Sequence, residues 1–384
     1  MSISRKKIVF LTGTRADFGK LKSLITITQE SKDYDVHIFV TGMHLNPLYG
    51  LTGGEVIKCG FKNIYKFVNH NNSIEYMDRT LARTINGFSK YIESLKPDLI
   101  IVHGDRVETM AGAIVGSFNN ILVAHIEGGE VSGTIDGLIR HAVSKISHLH
   151  FVSNEEAKKR LIQLGELDDT IYILGSPDLD LMNPKTLPSL DIVSKHYEIN
   201  FLNYAIAIFH PVTTENPNIN VNAKYFVDAL LNTGDNFIVI YPNNDLGSSE
   251  IINEYKRLQN NEKIRIYPSL RFEYFLSLLR NAKYIVGNSS AGIREASFYG
   301  TPTIDIGSRQ KNRAKSPSIF HCNDDANSII DAIFKAKKFI VSDKLKSEFG
   351  NGKSAQMFLE ILNDKSLWLV QHQKNFQDIN YEKD

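Results

Sequence analysis

The chain has 384 residues, 42% of them hydrophobic, and carries 44 Lys and Arg against 43 Asp and Glu, a formal net charge of +1. That length exceeds what one hydrophobic core ordinarily supports, so two domains are expected. The balanced charge offers no global field for nucleic acid or an anionic membrane, and no apolar run approaches the about 20 residues that span a bilayer, so neither partner is expected.

Short apolar runs alternate with longer amphipathic ones, the pattern of parallel strands joined by crossover helices. In the first half strands are predicted at Lys7 to Thr12, Val36 to Thr41, Leu99 to His103, Ile121 to His125, Leu149 to Val152 and Ile171 to Leu174. Helices fill the intervals, notably Phe18 to Gln29, Ile74 to Leu95, Arg106 to Ser117 and Gly137 to Ile146. The pattern restarts with strands at Tyr204 to Phe209, Phe237 to Ile240, Ile264 to Tyr267, Lys283 to Val286 and Pro302 to Ile304. Two doubly wound α/β domains follow from that restart. Between them Ser176 to Ile199 holds Pro177, Pro184 and Pro188 and no long apolar run, which reads as a connection. The division expected is 1–180, 181–365 and a final segment 366–384 whose polar end either packs back on the first domain or frays. Cys59 and Cys322 lie far apart and match no metal spacing, and the opening residues are polar and charged, which points to a reducing cytoplasm.

Open α/β sheets bind ligands beyond the carboxyl ends of their strands, and the strand ends of two domains can face one cleft. Gly13-Thr14-Arg15-Ala16-Asp17 follows the first strand; Arg15 can fork onto phosphate oxygens, and Asp17 can cap the helix. His103-Gly104-Asp105-Arg106 ends another strand, and His125-Ile126-Glu127-Gly128-Gly129-Glu130 a third. Ser132 to Asp136 adds a further carboxylate just before a helix. Each acid alone can cap a helix or pair with an Arg, but three at the expected cleft favour chemistry.

In the second half His210 ends a strand, and Gly287-Asn288-Ser289-Ser290-Ala291-Gly292-Ile293-Arg294-Glu295 links a strand to a helix. N–H groups, two hydroxyls and a helix dipole at one point suit a diphosphate, and Glu295, one to two turns in, suits a ribose diol. Gly307 to Arg313 adds Arg309, Lys311 and Arg313. No metal spacing, no triphosphate loop and no Gly-x-Gly-x-x-Gly element appears, so no metal and no cofactor is expected.

Taken together these residues resemble the UDP-N-acetylglucosamine 2-epimerase family. The resemblance covers nearly the whole chain, anchored on Gly13 to Phe18, His103 to Arg106, His125 to Asp136, Phe209-His210-Pro211 and Gly287 to Ser290 with Arg294-Glu295. Glu127-Gly128-Gly129-Glu130 and Ser289-Ser290-Ala291 depart from the non-hydrolysing branch and point to the hydrolysing one. Gly19 before Lys20 replaces a serine of the animal enzyme, and the chain ends at Asp384 without that enzyme's kinase half.

The resemblance implies two Rossmann-like domains in a glycosyltransferase-B arrangement with a site at the interdomain cleft. It implies conversion of UDP-N-acetylglucosamine and water to N-acetylmannosamine and UDP through a 2-acetamidoglucal, for sialic acid type sugars. Asp105, Glu127 and Asp136 would handle protons, with His210 also catalytic; Arg15, Lys20, Arg106, Ser289, Ser290, Arg294, Arg309 and Arg313 would hold the UDP-linked substrate. Glu295 would hold ribose, and the loop Ser269 to Phe272 would meet uracil. A homodimer or homotetramer is expected, with the helix Ile74 to Leu95 offering a face. Alternatives are the same reaction on a UDP- or GDP-linked diacetamido-trideoxy sugar, a glycosyltransferase of the same fold, and a silent nucleotide-sugar sensor.

Overall fold

Ile8, Val9 and Phe10 are fully buried on both faces of their strand, as a parallel sheet covered by helices requires. The computed structural model describes residues 5–70, 76–132, 135–182, 184–212, 218–311, 316–340, 349–350 and 352–378. The chain divides into two units: Met1–Glu130, Asp136–Leu181 and Phe349–Asp384 form one, and Val131–Ile135 with Met182–Glu348 the other.

The first unit carries β1 (Lys6–Thr12), β2 (Tyr34–Val40), β3 (Ile64–Lys66), β4 (Leu99–His103), β5 (Leu122–Ile126), β6 (Leu149–Val152) and β7 (Ile171–Ile173). Its helices are α1 (Arg15–Glu30), α2 (Gly53–Lys58), α3 (Met77–Leu95), α4 (Val107–Phe118), α5 (Ile135–Ile146) and α6 (Glu155–Gln163). The strands are parallel in the order β3-β2-β1-β4-β5-β6-β7, with Ile8 of β1 opposite both Val36 and Leu99. The order reverses between β1 and β4, the crevice where such sheets place ligands.

The second unit contains α7 (Leu190–His196), β8 (Ala205–Ile208), α8 (Ile219–Thr233), β9 (Phe237–Ile240), α9 (Ser248–Tyr255), β10 (Ile264–Tyr267) and α10 (Phe272–Asn281). It continues with β11 (Ile285–Gly287), α11 (Ser290–Ile293), α12 (Glu295–Tyr299), β12 (Thr303–Ile306), β13 (Ile319–Cys322) and α13 (Ala326–Lys337). These strands are also parallel, ordered β10-β9-β8-β11-β12-β13.

Two features differ from the sequence reading. The stretch expected as a connection is built into both units: Ser176 and Asp178 are fully buried in the first, and α7 packs on α10 in the second. The return to the first unit begins at Phe349, ahead of residue 366. Its helix α14 (Ser354–Asn363) buries Phe358 against Phe10 and Phe151, with ring centroids 6.4 and 5.0 Å apart, and Trp368 stacks on Tyr34. An amphipathic helix with that apolar face docks wherever a sheet face lacks cover.

Candidate functional site

In the first unit the residues after β1 build a tight turn. Thr14 caps α1, its hydroxyl accepting the Asp17 N–H, while the Asp17 carboxylate accepts the N–H groups of Gly13 and Thr14 at 3.0 Å. Asp17 is thus the third residue of a capping box and not the cap expected from sequence, because Thr14 already supplies the extended residue and the acceptor. One turn on, Lys20 is buried, with its ammonium 3.6 Å from Glu127 and 3.5 Å from Asp178. Arg15 pairs with Glu55 of α2 at 2.6 Å.

Glu127 directly follows β5 in the left-handed backbone region at φ +63°, a conformation a non-glycine residue keeps only where its surroundings fix it. They do so at four points. Its N–H donates to Phe151, its carbonyl accepts from Arg140 at 2.9 Å, Ser176 donates to one carboxylate oxygen, and His103 lies 3.1 Å from the other.

Arg140 is 1% exposed and gathers the acids. It binds the carboxylate of Asp105 and the carbonyl of Glu127, and lies 3.7 Å from Glu130, whose other oxygen accepts from Ser153. Asp136, also buried, precedes Arg140 by one turn on α5. Asp105 follows Gly104, which turns the chain at φ +76°, and Arg106 holds the cap position of α4. Asp105 and Glu127 therefore meet at Arg140, beyond the carboxyl ends of β4 and β5, and Asp136 lies one turn before that arginine on α5. Two buried histidines of this unit are held neutral: burial pushes His125 down to about 3, and burial with the nearby Arg15 charge does the same to His44.

Sequence reasoning missed Ser176 and Asp178 as members of this cluster. The available signal was their position directly after the last strand of the first sheet, which the prolines disguised as a linker.

In the second unit Gly287 has φ +142°, and a Cβ there would fall 1.8 Å from the carbonyl oxygen of Ile208. Only glycine allows β11 to lie so close to the end of β8. Asn288 then ties three segments together. Its amide pairs with both backbone groups of His210 at 2.7 and 2.9 Å, and its carbonyl accepts from Arg309 and Gln310 at 3.2 and 3.1 Å. The Asn243 N–H donates to Nδ1 of His210, which puts the proton of the neutral ring on Nε2. Ser289 caps α11, with Ser290 its first residue.

The expected continuous helix is absent. The backbone breaks at Arg294 (φ −99°, ψ −72°), leaving a four-residue α11, and Glu295 starts α12. So short a helix sums few peptide dipoles, and any anion binding here rests on N–H groups and hydroxyls. Arg294 and Glu295 are buried at 1% and 3% exposure. Ser269 and Phe272 flank the start of α10 beyond β10, three strands from β11. Arg313 lies outside the described residues. Among the described residues no group of three His, Cys, Asp or Glu side chains is placed to hold a metal, and no helix is long and apolar enough to cross a membrane.

A sequence model of the family described as UDP-N-acetylglucosamine 2-epimerase matches residues 27–363. The chain is 46% identical over 379 residues, 98% of its length and 100% of the other, to a Neisseria meningitidis serogroup B protein named UDP-N-acetylglucosamine 2-epimerase. It is 34% identical, over 93% of its length and 95% of the other, to a Legionella pneumophila protein named UDP-N,N'-diacetylbacillosamine 2-epimerase (hydrolyzing). Its fold is that of the Methanocaldococcus jannaschii UDP-GlcNAc 2-epimerase crystallised with UDP-GlcNAc and UDP, with TM-score 0.78, 22% identity, and coverage of 93% of this chain and 99% of that one. On the matched span and these identities, the chain belongs to the UDP-N-acetylglucosamine 2-epimerase family.

Proposed function

We propose that this protein is a hydrolysing 2-epimerase that converts UDP-N-acetylglucosamine and water to N-acetylmannosamine and UDP, supplying sialic acid type sugar synthesis in the cytoplasm as a homodimer or homotetramer. The observation that carries the reading is that Arg140 joins Asp105 and Glu127 at the carboxyl ends of β4 and β5, with Asp136 one turn before it on α5. The 46% identity to the Neisseria protein supports the substrate class, and the hydrolysing name of the Legionella relative supports loss of the nucleotide.

The reaction asks for several positioned carboxylates. One takes the C2 proton as the C1–oxygen bond to diphosphate breaks, which leaves the C1–C2 double bond of a 2-acetamidoglucal. Water then adds: a proton returns to C2 on the other face, and the oxygen of a water deprotonated by a second carboxylate bonds to C1. Glu127, Asp105 and Asp136 carry this traffic. The departing diphosphate gains charge, which Arg15, Lys20, His210, Ser289, Ser290 and Arg309 offset with positive charge and hydrogen-bond donors. Glu295 holds the ribose, and Ser269 and Phe272 meet the uracil.

The same steps on a nucleotide-linked diacetamido-trideoxy sugar form a second reading, favoured by the Legionella relative. The test is incubation without acceptor with each sugar nucleotide in deuterated water, followed by proton NMR of the released sugar. Free N-acetylmannosamine bearing deuterium at C2 from UDP-N-acetylglucosamine is expected. Release of a 2-epimer from the trideoxy substrate alone selects the second reading, and no release of a free sugar overturns both.

A further inference from the structure

Asp178 has no role in the chemistry just described. It follows β7 within a short 3-10 turn (Pro177–Leu181), its side chain is fully buried, and among the described residues neither carboxylate oxygen has a hydrogen-bond donor. Its charged neighbour is Lys20, at 3.5 Å, and the same ammonium lies 3.6 Å from Glu127. One buried cation therefore serves two buried carboxylates.

Other groups face this trio. His103 lies 3.1 Å from Glu127, and the Asp17 carboxylate faces His103. Ser176 donates to the second oxygen of Glu127, Arg140 donates to its carbonyl, and Asp180 adds a negative charge beside Asp178 while accepting the N–H groups of Ser354 and Ala355. Negative charges close together disfavour joint ionisation, and a lysine divided between two carboxylates stabilises each only in part.

We propose that Asp178 is a positioning residue that, by sharing Lys20 with Glu127 and adding a second negative charge, raises the affinity of Glu127 for a proton. Glu127 can then accept a proton and give it back within one catalytic cycle. The inference rests on reading Glu127 as a proton-handling group, yet it concerns a property of the free protein. A base tied to Lys20 alone would hold its charge too firmly to take the proton up.

The test is carbon-13 NMR titration of the full chain labelled at the glutamate carboxyl carbons, the Glu127 signal being the one missing in Glu127→Gln. In Asp178→Asn the Glu127 midpoint is expected to fall by about one pH unit, tenfold in proton affinity, and in Lys20→Met to rise. Should Asp178→Asn not fold, Asp178→Ser carries the same expectation. An unchanged midpoint in the Asp178 variant overturns the inference. Turnover of the wild-type chain, measured separately, reports on the proposed activity, so the two can fail independently.

Discussion

The ring of His125 donates to the carbonyl oxygen of Gly104 at 2.8 Å, and so pins the left-handed turn that presents Asp105. Ser144, one turn beyond Arg140 on α5, lies 3.0 Å from the other ring nitrogen. A buried neutral histidine thereby couples β5, α5 and the β4 turn, the three pieces that bring Asp105 and Arg140 together.

His125 should make stability depend on acid. Burial holds its folded pKa at about 3, below an unfolded value near 6.5, so the unfolded chain binds a proton the native one refuses. Its contribution is complete above about pH 6.5 and falls by up to about 1.4 kcal/mol per pH unit towards pH 3. In urea unfolding across pH 4 to 7, His125→Asn should show a flatter acid slope than wild type, and an equal slope would refute the neutral ring.

Arg140→Ala should be among the most damaging single changes in the first unit. It strips the charge partner from Asp105 and Glu130 and the donor from the strained Glu127 backbone in a buried setting, a loss of about 3–5 kcal/mol. Arg140→Lys keeps the charge but not the fork that reaches separate segments, so it should fold and turn over slowly. Thermal unfolding and steady-state rates of the two variants check this pair of outcomes.

Glu127→Gln keeps the shape of the side chain and its hydrogen bond from Ser176 while removing the base. Turnover should fall about 10²-fold or more while affinity for UDP stays near wild type. Calorimetric titration with UDP beside a coupled UDP-release assay separates the two quantities, and near-normal turnover would remove Glu127 from the chemistry.

Gly287→Ala should fail to fold normally, since the added methyl would overlap the Ile208 carbonyl at a φ of +142°, at a cost of about 3 kcal/mol or more. Ser290→Ala, at a partly buried position in the first turn of α11, should leave stability unchanged and weaken UDP binding by about tenfold, one lost hydrogen bond to a charged group. Unchanged UDP affinity in Ser290→Ala would move the diphosphate away from this loop.

Most strands were legible because parallel strands buried on both faces form continuous apolar runs, as Ile8 to Leu11 and Leu99 to Val102 do. Strands β3 and β13 escaped because they are short edge strands with largely solvent-touched side chains, which leave no periodic signal. The break at Arg294 was invisible for a different reason: Gly292 seats against Thr303, where a methyl would come within 2.6 Å, so packing on β12 and not local propensity shapes that segment.

Sequence alone determined that two parallel α/β units would form and that Asp105, Glu127 and His210 would stand at strand ends, because side-chain burial repeats with the period of the backbone and polar residues close each apolar run. Only the tertiary structure decided which charges meet. Arg140 reaches Asp105 and Glu127, and Lys20 is divided between Glu127 and Asp178, through strand order and register that bring together residues far apart in the chain. Electrostatic pairing depends on distance and burial, and neither is written in local sequence.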